Sequence, residues 1–351
     1  MINNIKIRGY KSIQDMDLDL CTINILIGAN GSGKTNLLSF FEFLQNIYLQ
    51  NLKEYVALRG NTDRFLFNGR KVTDEISAKL TFHSNAYFFE LKSAEDSFIF
   101  TKESLFYNYQ EVIRRTYKEE ADIKFYNSSC AEHIRDYLKS FEKYHFHDTT
   151  SNSPFTKVSN INTDTHQLYS NGRNLAARLY YIRDQDFVTY KFIVKTIQSV
   201  APYFGDFFLN PDENGNILLK WHTKYSTDVY GVTALSDGTQ RFIALVVLFL
   251  QQELPKTIIL DEPELGLHPA AIAKLSSLIK SAAAKGSQII VATQSTDLIS
   301  FFQAEDIVAV DQVDGKSQFK RLKEEDISLW IEDFYTIGEL WKRNIITNAQ
   351  P

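Results

Sequence analysis

Residues 28 to 35 carry the clearest chemistry in the chain, because they read GANGSGKT. The octet completes the G-x-x-x-x-G-K-[ST] pattern, in which backbone N–H groups of a glycine-rich loop surround phosphate oxygens. Its glycines permit a positive φ and close approach of a phosphate, while Lys34 offers a charge to the phosphates and Thr35 a hydroxyl to Mg²⁺. A chance glycine-rich turn is the alternative. The order strand, loop, helix around the octet favours a phosphate-binding loop.

A pair of acids ends a short apolar run later in the chain. Residues 258 to 260 read IIL and are followed by Asp261 and Glu262. Successive side chains at a strand end point in different directions, so Asp261 can hold Mg²⁺ while Glu262 polarises an attacking water. An ordinary surface strand end is the alternative, and the intact phosphate loop upstream favours the catalytic interpretation.

A third stretch, LSDGTQR at residues 235 to 241, precedes the apolar helix of residues 242 to 250. A serine, a flexible glycine and a helix N-terminus together can bind an anion. Ser236 could equally be an ordinary helix cap. The order of the three motifs along the chain favours the anion site.

Hydrophobic periodicity predicts the elements that position these residues. Residues 23 to 27 form a β-branched run typical of a buried parallel strand, and helical spacing begins at Asn36. Residues 1 to 27 give two strand candidates around residues 9 to 12, and antiparallel strands are predicted at residues 75 to 101. Beyond residue 257, apolar strands alternate with helices, which implies a parallel sheet with helices packed on it.

The middle of the chain supports coarser predictions. Residues 103 to 142, rich in Tyr, Lys and Glu, predict a helical insertion, and the polar residues 147 to 164 predict a mobile loop. Helices are also predicted at residues 171 to 182 and 187 to 200. A last helix at residues 330 to 344 either packs on the body or binds a partner.

Some residues of this middle region could bind a metal or nucleic acid. We interpret His145 and His147 as loop residues rather than metal ligands. The basic cluster Arg114, Arg115 and Lys118 is surrounded by glutamates, which favours a solvated helix face over a DNA-binding surface.

Composition excludes several classes of protein. The chain has 351 residues, of which 44% are hydrophobic and 23% charged, and this balance is typical of globular domains. Its net charge of −5 argues against a surface that coats nucleic acid throughout. Two cysteines are too few for a disulfide framework and fit a reducing cytoplasm. The longest apolar run is about half of what a membrane span needs, and the N-terminus reads as a strand rather than a signal peptide.

The three motifs together resemble the ABC-type ATPases of the RecF, SMC and OLD group, and most of all the stand-alone AAA-family (AAA_21-like) ATPases of anti-phage and DNA-repair systems. The similar segments are ILIGANGSGKT, NGRNLAARLY, ALSDGTQRF, IILDEPELGLHP, IIVATQSTDLI and WIEDFYTIGELW. The resemblance implies an α/β P-loop NTPase fold of the ABC-type head. Such a head has a mixed sheet with an antiparallel β subdomain, a parallel core sheet flanked by helices, and a helical insertion.

The resemblance also implies the site residues. The set expected to bind ATP comprises Lys11, Ser12, Gly28, Asn30, Gly31, Ser32, Gly33, Lys34, Thr35, Asn36, Ser236, Asp237 and Gly238. Thr35 and Asp261 are the Mg²⁺ ligands, Glu262 is the catalytic base, and Gln294 stands at the switch position. Ser236 and Gly238 contact the γ-phosphate held by a second copy, and residues 264 to 268 cross the interface of that ATP-sandwich homodimer.

Two departures from the family pattern affect the expected activity. The signature reads LSDGTQ rather than LSGGQ, which places the charge of Asp237 close to a phosphate site. Gln294 replaces the usual switch histidine and cannot become positively charged, so hydrolysis is expected to be slow or stimulated by a partner. Gln110 is a weak candidate for the lid glutamine.

The resemblance leads to competing functions. The first is an ATP-driven switch in phage defence or DNA repair that controls a separate nuclease or toxin. The alternatives are a RecF-like repair ATPase that binds DNA and acts alone, and a transporter motor. A nuclease domain within the chain is not expected, since the sequence ends shortly after the ATPase motifs. The predicted domains are an N-terminal lobe (residues 1–104), a mainly helical lobe (105–229) and a C-terminal lobe (230–351).

Overall fold

The computed structural model describes residues 1–95, 97–325, 336–343 and 346. Contacts between residues divide it into two units. The first contains Met1–Lys143, Pro255–Asp261 and the described residues from Gly286 onward, and the second contains Tyr144–Leu254 and Glu262–Lys285. The predicted domain boundaries at residues 104 and 229 stay predictions.

The first unit contains an antiparallel sheet in the order β2-β1-β4-β5-β6-β7. Buried residues alternate along β4 with residues that are at least partly exposed, as expected for a sheet with one covered face. This sheet confirms the predicted antiparallel subdomain. Its strands are β1 (Asn4–Tyr10), β2 (Ile13–Asp19), β4 (Glu75–Phe82), β5 (Asn85–Ala94), β6 (Ser97–Tyr107) and β7 (Gln110–Arg115).

A second sheet of the first unit has the order β17-β16-β3-β15-β14-β8. Strand β3 lies between β16 and β15 and is parallel to both, and β14 is parallel to β15. Strand β15 is buried at every residue, which is typical of a parallel sheet covered on both faces. The strands are β3 (Ile23–Ile27), β8 (Lys143–Tyr144, where the chain leaves the unit), β14 (Thr257–Asp261), β15 (Gln288–Thr293), β16 (Ile307–Val313) and β17 (Lys316–Arg321).

Helix α1 packs an aromatic cluster in the core of the first unit. The ring centroid of Phe40 lies 4.9 Å from that of Tyr10, and that of Phe43 lies 5.7 Å from that of Phe65. Buried aromatic rings contribute large apolar areas, so this cluster fixes α1 against the start of the chain. Within the described residues, the α-helices of the unit are α1 (Lys34–Leu49), α2 (Leu52–Leu58), α3 (Ser129–Leu138), α8 (Thr296–Ile299) and α9 (Ile337–Lys342).

The second unit is built on four helices, of which α6 is buried along nearly its whole length. Helix α6 contacts α4, α5 and α7. The helices are α4 (Leu175–Gln185), α5 (Phe187–Val200), α6 (Asp237–Leu250) and α7 (Pro269–Ala284). Short strands complete the unit, namely β9 (Ser159–Asn160), β10 (Phe204–Phe207), β11 (Asn216–Ile217), β12 (Lys220–Thr223) and β13 (Val229–Gly231).

The helix predicted across residues 103 to 142 is wrong for most of that range. Strand β6 continues to Tyr107, β7 follows, and only Ser129–Leu138 is α-helical. Glu103 is one cause of the wrong prediction. Glutamates are mostly exposed, but the Glu103 carboxylate is buried and accepts hydrogen bonds from the Tyr87 and Tyr126 hydroxyls. Arg114 and Arg115 therefore lie on an exposed strand and not on a helix face.

Residues 147 to 164 are mostly irregular, but they include buried anchors. Phe155 and Ser159 are buried, and the segment contains a 3₁₀ turn at Pro154–Thr156. Its mobility stays a prediction. Of the last predicted helix, the part before residue 336 lies outside the described residues, and the described part contains α9.

Candidate functional site

The predicted phosphate loop connects the end of β3 to the start of α1. Gly31 and Gly33 have φ values of 80° and 114°, which disfavour residues with a side chain. A Cβ on Gly33 would lie 2.0 Å from the Ser317 Oγ, whereas a Cβ on Gly31 would meet no atom within 4 Å. The loop is therefore tightly packed at Gly33 and open at Gly31.

Lys34 lies buried under the loop that precedes it. Its Nζ donates hydrogen bonds to the carbonyl oxygens of Gly28 and Ala29, at 2.6 Å and 2.9 Å. The ammonium group is thus held among loop carbonyls, where it can turn towards a phosphate.

Ser317, on β17, braces the loop from a strand that sequence reasoning did not include in the site. Its hydroxyl donates to the Ser32 carbonyl oxygen at 2.6 Å and lies 2.6 Å from the Ser12 Oγ. The Asn36 side chain donates to the same Ser12 Oγ at 2.7 Å. Ser12 and Asn36, both predicted site residues, therefore belong to one hydrogen-bonded bracket around the loop.

The loop contains unsatisfied polar groups that fit a phosphate. The Ser32 Oγ is buried and has no hydrogen-bond partner. No side chain caps the N-terminus of α1, although the first amides of a helix need acceptors. An anion at a helix N-terminus satisfies such amides and interacts favourably with the helix dipole. The hard oxygens of Thr35 and Asp261 are the donors that Mg²⁺ prefers.

The strand register relates Asp261 to the phosphate loop. Asp261 pairs with Ala292 on β15, and Ala292 pairs with Leu26 on β3, two residues before Gly28. Two strand spacings separate Asp261 from β3, about 10 Å. The Nζ of Lys143 lies 2.8 Å from the Asp261 Oδ2. Lys143 is a second residue that sequence reasoning did not identify.

Glu262 has an unusual backbone conformation for a glutamate. Its φ is 44°, in the left-handed region that residues with a side chain rarely adopt. The chain turns sharply there, since the Leu265 amide donates to the Glu262 carbonyl oxygen. Such strained residues cluster at functional sites, which is consistent with the predicted catalytic role.

Gln294 lies beside the phosphate loop. Its Nε2 donates to the Asn30 Oδ1 at 2.8 Å, and this contact brings together two predicted site residues. Gln294 follows Thr293, which pairs with Ile27 in the sheet register. The predicted switch position therefore lies next to the end of the phosphate-loop strand.

Lys11 contacts helix α1 through Ser39. Its Nζ donates to the Ser39 Oγ at 2.8 Å and lies over the rings of Tyr10 and Phe65. Burial, with the Arg59 and Lys143 charges as smaller contributions, lowers the pKa of Lys11 to about 8. Contact of Lys11 with nucleotide stays a prediction.

The predicted signature lies in the second unit, at the start of α6. Ser236 is the N-cap, and its Oγ accepts a hydrogen bond from the Thr239 amide. Ser236 and Asp237 are both exposed. The signature serine thus forms the cap that the sequence left as the alternative to an anion site.

Residues 264 to 268 pack against the signature. A Cβ on Gly238 would lie 2.2 Å from the Gly266 carbonyl oxygen, so only glycine fits there without a shift. Arg241 donates to the carbonyl oxygens of Leu265 and His147, at 2.7 Å and 2.8 Å. Arg241 is a third residue that the sequence did not reveal as part of a site.

The described residues offer little sign of other sites. No group of three or more His, Cys, Asp or Glu side chains within them could hold a metal ion. Gln110 lies exposed at the start of β7, and its lid role stays a prediction. Among the helices in the described part of the chain, none has the length and apolar character for a membrane span.

The model of the AAA_21 family, described as "AAA domain, putative AbiEii toxin, Type IV TA system", matches residues 23–300. The match contains all three motifs and well over half of the chain. The chain belongs to the AAA_21 family. This membership confirms the resemblance on which the sequence analysis relied.

Solved structures of SMC head domains have a fold similar to that of this AAA_21 member. An SMC head bound to the C-winged helix domain of ScpA has a TM-score of 0.64 and 17% identity, over 93% of this chain and 99% of the other. An SMC head with an extended coiled coil, bound to the C-terminal domain of ScpA derived from Pyrococcus furiosus, has a TM-score of 0.60 and 16% identity, over 95% and 99%. These likenesses confirm the predicted fold class.

One curated relative has a short match to this family member. The energy-coupling factor transporter ATP-binding protein EcfA of Methanocaldococcus jannaschii is 34% identical over 68 residues, which are 19% of this chain. The matched segment spans only 24% of that relative's length. It supports the relationship to ABC-type ATPases.

Proposed function

We propose that the protein is an ATP-binding and ATP-hydrolysing switch in which two copies close around two ATP molecules. The observation that carries this proposal is the exposure of Ser236 and Asp237 at the start of α6, in a chain whose own phosphate loop is complete. An exposed signature is available to a second copy. Binding energy shared between two copies makes ATP stabilise the dimer.

In the proposed reaction, the phosphate loop binds and orients ATP. The Lys34 ammonium turns from the Gly28 and Ala29 carbonyl oxygens to the phosphates, and the amides at the start of α1 donate to them. Thr35 and Asp261 would hold Mg²⁺, which would neutralise charge on the phosphates. Glu262 accepts the proton of the attacking water. Gln294 donates a neutral hydrogen bond to the γ-phosphate, so turnover is slow.

The second copy supplies Ser236 and Gly238 in this proposal. The Ser236 Oγ accepts a bond from the Thr239 amide and lies 2.8 Å from the Thr239 Oγ1, a contact in which either hydroxyl can be the donor. When the Thr239 hydroxyl donates in that contact, Ser236 keeps its own hydrogen for a γ-phosphate and retains its capping role. Asp237, beside it, repels the phosphate and weakens the dimer.

We further propose that the ATP-driven change controls a separate cytoplasmic effector, a nuclease or toxin, in phage defence or DNA repair. The family description names a putative toxin of a toxin–antitoxin system. One SMC head of similar fold is bound to a winged helix domain of another protein. Both support a head that acts through a partner.

A RecF-like repair ATPase that binds DNA and acts alone is the second candidate. Arg114 and Arg115 lie exposed on strand β7, where they could contact phosphates of a duplex. Lys118 is paired with Asp122 at 3.7 Å, which reduces the charge available to DNA. A transporter motor is the least supported candidate, because the match to a transporter subunit covers 19% of the chain.

The sandwich is tested by two matched variants. We expect Glu262→Gln to form a stable dimer with Mg²⁺ and ATP, because it binds ATP but lacks the base, and Lys34→Ala to stay monomeric. Light scattering after size exclusion, with and without ATP, measures the mass of each. Equal masses for both variants in both conditions would contradict the sandwich.

The partner is tested by affinity purification from the native host with ATP present. A nuclease-like or toxin-like protein at fixed stoichiometry would support the effector model. A lone homodimer that retains DNA, with ATPase activity stimulated by duplex DNA and lowered by salt, would favour the repair ATPase.

A further inference from the structure

Lys143 and Asp261 form a mostly buried ion pair within the first unit. The Lys143 Nζ lies 2.8 Å from the Asp261 Oδ2, and the two side chains are only 22% and 17% exposed. Lys143 lies on β8, an edge strand of the sheet, and Asp261 ends β14. A partly buried carboxylate without a partner is unfavourable, so Lys143 stabilises Asp261 in the protein without nucleotide.

The same carboxylate is the proposed Mg²⁺ ligand. A carboxylate oxygen that binds Mg²⁺ lies about 2.1 Å from the ion, and an ammonium group still 2.8 Å from that oxygen would be within a few ångströms of a double positive charge. Repulsion at such separations is large in a partly buried site. Lys143 and Mg²⁺ therefore compete for Asp261.

The Lys143 charge also acts on Lys11, a predicted ATP-binding residue. The pKa of Lys11 is lowered mainly by burial, and the positive charge of Lys143 contributes to the lowering. Lys11 follows β1 and directly precedes Ser12, which belongs to the bracket of the phosphate loop. The Lys143 charge thus acts on the region where ATP is proposed to bind.

We propose that Lys143 is a positioning residue that occupies the Mg²⁺ position at Asp261 in the nucleotide-free protein and is displaced when Mg²⁺ and ATP bind. This inference rests on the proposed ATP-binding function. Lys143 keeps the carboxylate oriented and its charge balanced, and thereby lowers the affinity for the metal. Displacement releases the Lys143 ammonium group from Asp261, which couples metal binding to a change at strand β8.

The test measures metal binding rather than turnover. Mn²⁺, a paramagnetic substitute for Mg²⁺, is titrated into protein saturated with the non-hydrolysable analogue AMP-PNP, and free Mn²⁺ is read from its EPR signal. Lys143→Met removes the competitor, so we expect Mn²⁺ affinity to rise about five- to tenfold. Lys143→Arg keeps a cation and should stay within about twofold of the wild type.

Lys139→Met is the matched control, because this exposed lysine lies near the end of α3 and its removal changes the net charge equally. It should leave Mn²⁺ affinity unchanged. A Lys143→Met variant with unchanged or weaker Mn²⁺ binding would overturn the proposal, since a lysine that binds phosphate directly predicts the weaker binding.

Unfolding experiments without nucleotide show whether the variants still fold. Urea unfolding of Lys143→Met, Asp261→Asn and the double variant gives the coupling between the two side chains. If the two side chains interact, the double variant should lose less unfolding free energy than the sum of the losses of the two single variants. Losses that are additive would contradict the ion pair. AMP-PNP binding by the wild type, abolished by Lys34→Ala, tests the ATP site separately, so that its failure is not confused with failure of the Lys143 proposal.

Discussion

The phosphate loop and the signature turn both lead into a helix, but they satisfy the first amides of that helix differently. Helix α1 has Gly33 as its N-cap and no side chain that caps it, whereas Ser236 caps α6 with its own hydroxyl. Half of the phosphate-loop residues, among them Ser32 and Lys34, are buried and Ser317 holds the loop, whereas Ser236 is exposed. The N-terminus of α1 can therefore accept a ligand as its cap, whereas the N-terminus of α6 is already capped by its own side chain.

This difference indicates a division of work between the two regions. A helix start with unsatisfied amides gains free energy when an anion arrives, so the phosphate loop can bind nucleotide within a single chain. The signature turn gains less, because its cap is already made. We expect it to contribute only when a second copy presents phosphates to the exposed Ser236 hydroxyl.

The largest expected effect comes from Gly33→Ala, which adds a Cβ to the loop at its contact with Ser317. The new Cβ would lie 2.0 Å from the Ser317 Oγ and 2.7 Å from its Cβ, at a φ of 114°. We expect a loss of about 3 to 5 kcal/mol in the free energy of unfolding, with AMP-PNP binding abolished. Urea unfolding and calorimetric titration measure the two quantities.

Gly31→Ala is the control for Gly33→Ala, because its Cβ would meet no atom within 4 Å. Only the backbone strain at positive φ remains, about 1 to 2 kcal/mol. In the double variant Gly33→Ala/Ser317→Gly, part of the loss should be recovered. Equal losses at Gly31 and Gly33 would show that Ser317 does not brace the loop.

A smaller effect is expected from Gly238→Ala in the signature. Alanine favours a helix by about 1 kcal/mol over glycine, but its Cβ would lie 2.2 Å from the Gly266 carbonyl oxygen, a backbone atom that cannot rotate away. We expect a net loss of about 2 kcal/mol in unfolding free energy. AMP-PNP affinity of the monomer should stay within about twofold, while ATP-dependent dimerisation is lost.

Ser236→Ala removes the helix cap and the contact to the Thr239 Oγ1 without introducing a clash, and it should lower stability by about 1 kcal/mol. If Gly238→Ala weakened nucleotide binding by the monomer as strongly as Gly33→Ala, the division of work between the two regions would be refuted.

Features that depend on a few neighbouring residues were predictable from the sequence. The glycine-rich loop after β3 and the strand that ends in Asp261 follow from glycines and acids at fixed spacing, and the structure has these elements at the predicted places. The family match confirms the class of protein that these motifs predicted. These signals are readable because each depends on a few neighbouring residues.

Contacts between distant residues were not predictable in the same way. Lys143 and Asp261 are 118 positions apart, and Ser317 and Ser32 are 285 positions apart. No spacing rule connects such pairs, and only the sheet order brings them together. The wrong helix over residues 103 to 142 has a similar origin, because the burial of Glu103 depends on Tyr87 and on residues that follow β7.

The last predicted effect concerns Lys11, a desolvated cation on the phosphate-loop side. Its pKa in the folded protein is about 8, below its ordinary value of 10.5. Below pH 8 the lysine is charged in both folded and unfolded states, and burial of the charge opposes folding. From about pH 8 to 10.5 only the unfolded chain holds the proton, so folding releases it and stability rises with pH.

Lys11→Met removes this charge, so we expect the variant to be about 1 to 2 kcal/mol more stable than the wild type at pH 7. The advantage should shrink as pH rises through 9 and vanish near 10.5, because wild-type Lys11 then folds without a charge. Urea unfolding at each pH measures the difference, and Lys139→Met controls for net charge. A difference that stayed constant with pH would mean that the Lys11 ammonium is solvated. Lys11 would then carry no desolvated charge. The difference between the phosphate loop and the exposed signature would in that case consist only of their hydrogen bonds.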